Sequence, residues 1–142
     1  MPELGLATID KSVQETNRWL AALMQSMGTD DKQYAYQGLR AVLIALRDRL
    51  PLDLGANLGD QLPLFVRGMY YENYVPAEVP QKYRKASDWI QAVAHLAANM
   101  DETEADRVSR AVFAVLEQAL DPGMIDKLGE ALPDDVCGLL EI

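Results

Sequence analysis

The residues best suited to chemistry lie between Arg40 and Arg84 of the 142 in this chain. Arg67-Gly68-Met69-Tyr70-Tyr71-Glu72-Asn73-Tyr74, followed by Tyr83 and Arg84, holds four of the six tyrosines. Tyrosine beside arginine gives large contact area at small entropic cost, the composition of a binding hot spot. Arg47 follows Arg40 by seven residues on the same helix flank. An anionic ligand can therefore be held by Arg40, Arg47 or Arg67 beside Tyr70 and Tyr71. In the competing reading the tyrosines fill an internal seam, with their hydroxyls bonded to linker backbone. Ligand or partner contacts are expected at Arg47, Arg67, Tyr70, Tyr71, Tyr74, Tyr83 and Arg84.

Arg40 and Arg110 sit at the edge of the apolar face of their helices. A guanidinium there buries its stem and reaches a carboxylate or carbonyl, so both are expected as inter-helix clamps. His95 is the single histidine and suits a polar, half-exposed role better than catalysis. Cys137 has no CxxC neighbour to support a redox or zinc role. Asp101, Glu102, Glu104 and Asp106 form an acidic helix start that suits the positive end of the helix dipole. No Ser-His-Asp arrangement, metal-ligand spacing or glycine-rich phosphate loop stands out. The sequence thus points to no catalytic residue, metal or cofactor.

An internal repeat organises the elements that carry these residues. At a fixed offset of 70, Trp19 falls on Trp89, Arg40-Ala41-Val42 on Arg110-Ala111-Val112, Leu46 on Leu116 and Leu62-Pro63 on Leu132-Pro133. Every long segment has helical periodicity. A first helix runs to about Met27, with Thr8, Ile9 and Asp10 offering caps and Gly28 closing it. Its apolar positions are Val13, Leu20, Leu23, Met24 and Met27, with Trp19. Asp30 is the expected cap of a second helix, ended by Pro51. Short helices cover about Asp53 to Gln61 and Leu64 to Tyr71. In the second copy Ser87 is the expected cap of a helix to about Asn99. Further helices start at Asp101, at Asp121-Pro122 and at Pro133. The expectation is all-α: one domain over 1–142, with two pseudosymmetric four-helix repeats (about 8–74 and 86–142) and a linker over 75–85. Each copy is small for independent stability, so the two should share one core.

The net charge of −9 is uneven. Residues 1–85 carry ten basic and ten acidic side chains, whereas 86–142 carry three and twelve. That balance argues against duplex nucleic acid, which requires clustered cations, and permits a basic partner for the second half. No stretch is long and apolar enough for a membrane span. The N-terminus lacks the pattern of a signal peptide, and the single cysteine suits a reducing compartment; the expected location is cytoplasmic.

Arg40-Ala41-Val42-Leu43, Leu46-Arg47-Asp48-Arg49-Leu50-Pro51, Gln61-Leu62-Pro63 and Arg67-Gly68-Met69-Tyr70-Tyr71-Glu72 together resemble the bacterial family known as domain of unknown function 2267. The resemblance extends over nearly the whole chain, through Arg110-Ala111-Val112-Phe113 and Leu132-Pro133. It implies an all-helical fold and carries no established activity or catalytic residue. The second copy departs from the pattern, with Glu117-Gln118-Ala119 for Arg47-Asp48-Arg49 and Leu139-Leu140-Glu141 for Met69-Tyr70-Tyr71.

Two functions from different classes fit. One is a non-enzymatic helical module acting by protein–protein contact, with self-association through leftover apolar faces as one form. The alternative is a small anionic-ligand binder or enzyme using arginines and tyrosines of the first repeat.

Overall fold

The computed structural model describes residues 6–98 and 100–142. Among these the chain forms eight α-helices and no strand: α1 (Ala7–Met27), α2 (Lys32–Arg49), α3 (Leu52–Gln61), α4 (Leu64–Tyr70), α5 (Ala86–Leu96), α6 (Glu102–Ala119), α7 (Pro122–Ala131) and α8 (Asp134–Leu140). A 3-10 turn, Pro76–Glu78, lies between α4 and α5. The all-α expectation holds. No helix of the described residues is long and apolar enough to cross a membrane. The reading of Met1 to Gly5 as lacking a signal sequence lies outside the described residues, as does Asn99.

Local chemistry sets most helix ends. Gly28 closes α1 at φ 68°, in the left-handed region where a Cβ is disfavoured. Its amide and that of Thr29 donate to the Gln25 and Met24 carbonyls at 3.2 and 3.0 Å. Pro51 and Pro63 immediately precede α3 and α4. Asp101 and Glu104 form a reciprocal capping box on α6.

Three expected caps are corrected. Leu6 is the N-cap of α1 and makes no side-chain bond, so Thr8, Ile9 and Asp10 lie inside the helix. Asp31, not Asp30, caps α2, because its carboxylate is the one within reach (3.1 Å) of the Tyr34 amide. Ser87 lies within α5, whose first amide, that of Ala86, donates instead to Asp135 Oδ2 of α8 at 2.7 Å. That helix ends at Leu96, earlier than the expected Asn99.

The core sits around α2 and α6, each of 18 residues. α2 packs on α1, α4, α5 and α6, while α6 packs on α1, α2, α5 and α8. Gly38 lets them pack closely: a Cβ there would stand 2.6 Å from Val108 Cγ1 of α6. Leu39, Leu43 and Leu46 of α2 and Leu50 at its C-cap are buried, and each such side chain contributes roughly 1.5–3 kcal/mol on leaving water. Trp89 is fully buried, edge-on to Phe113. Its indole N–H donates to Ser109 Oγ at 3.0 Å, and that hydroxyl donates to the Ala105 carbonyl at 2.7 Å. No polar atom of this pair is stranded. Its sequence counterpart, Trp19, is only partly buried.

Candidate functional site

Arg47 is 4% exposed and inaccessible to a ligand. Its Nη1 donates to the carbonyls of Tyr70 (2.9 Å) and Glu72 (2.7 Å), and its Nε donates to Asp48 Oδ1 at 2.8 Å. The guanidinium also lies 4.9 Å from the Tyr74 ring centroid. These bonds hold the C-terminal end of α4 and the chain after it against α2.

Arg67 is committed in the same way. Nε donates to the Gly59 carbonyl at 2.9 Å, and Nη2 donates to those of Asp60 (3.2 Å) and Leu62 (3.0 Å). The last carbonyls of a helix have no partner within it, and a cation there also meets the negative end of its dipole. Arg67 therefore closes α3. Cys137, 70 residues later, does related work with a weaker donor: Sγ lies 3.3 Å from the Gly129 carbonyl and 3.6 Å from that of Leu132. Burial pushes the Cys137 thiol above its ordinary pKa.

Arg40 bonds across elements, from α2 to Glu72 Oε1 at 2.8 Å and to the Leu96 carbonyl at 3.5 Å. Arg110 differs, with a half-exposed side chain. Its nearest partner is Asp106, one turn back on α6, at 2.6 Å, and Glu141 stands 3.7 Å away. The buried carboxylate that a clamp would grip is replaced by a surface pair.

The tyrosines are packed into this scaffold. Tyr70 is fully buried, and its hydroxyl donates to the Gly55 carbonyl of α3 at 2.7 Å, not to the linker. Burial drives its pKa well above the ordinary range. Tyr71 stacks edge-on to Tyr70 at 5.0 Å and lies 5.7 Å from Tyr74, with its ring against Gly59. Tyr83 receives the Arg49 guanidinium over its ring at 5.4 Å, and its carbonyl accepts from Arg49 Nε at 3.0 Å. Burial also raises the Tyr83 pKa. Arg84 is exposed and stands apart from this cluster's hydrogen bonds. His95 is exposed on α5. Among the described residues no three His, Cys, Asp or Glu side chains converge as metal ligands would.

Other clefts are more polar. A cavity of about 230 Å³ lies among Gly28, Thr29, Tyr34, Glu104 and Arg107. The Tyr34 hydroxyl donates to Glu104 Oε2, and burial together with that bond pushes its pKa up to about 12. A second cleft, of about 440 Å³, joins Glu117, Asp126, Glu130 and Glu141 with Ile125 and Ile142. It carries part of the acidic surplus.

An open apolar groove of about 500 Å³ lies between the N-terminal half of α1 and α4. Ile9 and Val13 form one wall, Leu64 and Phe65 the other, with Tyr36 and Met69 also lining it. Ile9, Val13, Leu64 and Phe65 are between 40% and 57% exposed. Ser12 Oγ accepts from the Phe65 amide at 3.1 Å, fixing α4 against α1. Val13, whose spacing placed it with Leu20 and Leu23, has no core to enter. Sequence reasoning missed Leu64 and Phe65. The available signal was their counterparts at the offset of 70, which are Asp134 and Asp135.

The protein family described as an uncharacterized conserved protein, DUF2267, matches residues 16–139. No curated relative matches the chain.

Proposed function

The chain belongs to the DUF2267 family, and we propose that it is a non-enzymatic helical interaction module that docks a protein partner on the apolar face between α1 and α4. The observation that carries this reading is the groove itself. Four large apolar side chains, Ile9, Val13, Leu64 and Phe65, stand together half exposed. Single exposed apolar residues are ordinary, whereas a contiguous patch marks a place of contact. The anionic-ligand alternative has less support, because Arg47 and Arg67 direct their donors at backbone carbonyls.

We also infer that the scaffold is two copies of one four-helix unit sharing a core. Supporting this, α2, α3 and α4 each have a counterpart of equal length starting 70 residues later. Arg67 and Cys137, also 70 apart, each reach equivalent carbonyls: Gly59 and Leu62 for one, Gly129 and Leu132 for the other. The copies differ where the groove lies. α1 has 21 residues against 11 in α5, and Leu64-Phe65 stands opposite Asp134-Asp135. The second copy thus carries charge where the first presents apolar surface.

A face kept for a partner should be dispensable for the fold. The Val13→Asp, Phe65→Asp double variant is expected to melt within about 2 °C of the parent, since neither side chain is buried and an aspartate near the start of α4 suits its dipole. The melt is run on dilute protein, so that association adds no stability. A loss above about 6 °C, corresponding to more than roughly 1–2 kcal/mol, would assign these side chains to the fold and defeat the reading.

A further inference from the structure

Resting on that reading, we propose that the occupant of the α1–α4 groove is a second copy of this chain, docked through the same face about a twofold axis. Such an interface requires one patch to carry both a projection and the hollow that receives it. This face does. Phe65 projects from the start of α4, and beside it Ile9, Val13, Tyr36 and Met69 line the hollow. Turned about the axis, Phe65 of each copy enters the hollow of the other, placing an aromatic anchor at the centre of the interface.

Charge distribution favours a second copy as the occupant. Two chains of net charge −9 repel one another unless their acidic surfaces stay apart. The groove is built wholly from residues 9–72, within the half whose basic and acidic side chains balance. The excess belongs to residues 86–142. At the rim, Glu72 is paired with Arg40. Contact through this face therefore uses no residue of the acidic segment 86–142 of either copy.

Area is of the right order as well. At about half of the roughly 200 Å² that a large side chain can bury, the four exposed groove side chains offer about 400 Å² per copy. Two copies then bury about 800 Å² of apolar surface, and the polar rim has to supply the rest of the roughly 1,200 Å² at which specific interfaces begin.

Sedimentation velocity of the purified full chain, over a concentration series at moderate salt, tests the proposal. The expected result is reversible conversion from 15.8 kDa to twice that mass. Phe65→Asp and, independently, Val13→Asp should each weaken dimerisation by at least roughly ten-fold, with circular dichroism unchanged. Arg84→Ala should leave it unaltered. A monomer throughout the series overturns the proposal, and so does a dimer indifferent to both groove substitutions. If the chain is monomeric while the double variant described above keeps its melting temperature, the second-copy proposal falls and the interaction reading stands. If that variant also loses its stability, both fall.

Discussion

Replacing Arg47 with alanine removes three donated hydrogen bonds and the stem of a side chain that is only 4% exposed. The Tyr70 carbonyl is buried, so losing its partner costs about 1–3 kcal/mol. The Glu72 carbonyl is partly buried and should add a value near the low end of that range. Asp48 keeps access to water and contributes less. With lost packing of the stem, Arg47→Ala should cost about 3–5 kcal/mol, a large share of the roughly 5–15 kcal/mol that holds a domain folded. Urea unfolding at neutral pH should show the midpoint falling by more than about 1 M. Arg47→Lys should fall between parent and alanine, because one ammonium cannot reproduce the fork that reaches two carbonyls and a carboxylate. Arg110→Ala is the control. Its partners lie at the surface, and the loss should stay within about 0.5 kcal/mol. Equal, small losses for Arg47→Ala and Arg110→Ala would refute the assignment of Arg47 to the scaffold.

Gly38→Ala should destabilise by about 1–2 kcal/mol. The clash with Val108 across the α2–α6 crossing outweighs the roughly 1 kcal/mol that alanine gains over glycine inside a helix. Adding Val108→Ala should recover part of the loss relative to that substitution made alone; a stabilising Gly38→Ala single variant would contradict the close approach. Alkaline titration addresses the tyrosines. Burial raises Tyr34, to about 12, and raises Tyr70 and Tyr83 further. A folded-state pKa above the unfolded value means the stability contributed is complete below about pH 10 and is lost as pH rises through the folded value. Unfolding free energy should thus decline above about pH 10, with tyrosinate absorbance rising in step with unfolding. Tyr70→Phe should soften that decline while lowering stability at neutral pH, because the Gly55 carbonyl loses its donor. A flat alkaline profile would contradict the buried placement.

Helix positions were legible because prolines, Gly28 and apolar spacing act through neighbouring backbone. Pro51, Pro63 and Pro122 stand where their restricted backbone demands a boundary. The Ala86 cap was not legible, since Asp135 lies 49 residues away in sequence. Arg47 and Arg67 were misread for a related reason. A sequence displays their charge but not which backbone carbonyls are left without partners, and every residue carries such a carbonyl. The tyrosines beside them drew attention by type, and Tyr70 proves to be core. Leu64 and Phe65 were overlooked because apolar residues are expected to be buried. Only the packing of α1 against α4 reveals that their side chains remain outside. The mismatch with Asp134 and Asp135 already separated them from their counterparts.

Photo-crosslinking in the producing cell tests most directly whether contact is made at the groove or at the arginine and tyrosine stretch. A photoreactive phenylalanine analogue is placed at position 65 in one strain and at position 84 in another, both exposed in the free chain. Protein adducts at position 65 and none at position 84 are expected, with the adduct at 65 joining two copies of the chain. Adducts at position 84 with none at 65 would contradict the assignment of the α1–α4 face as the site of interaction.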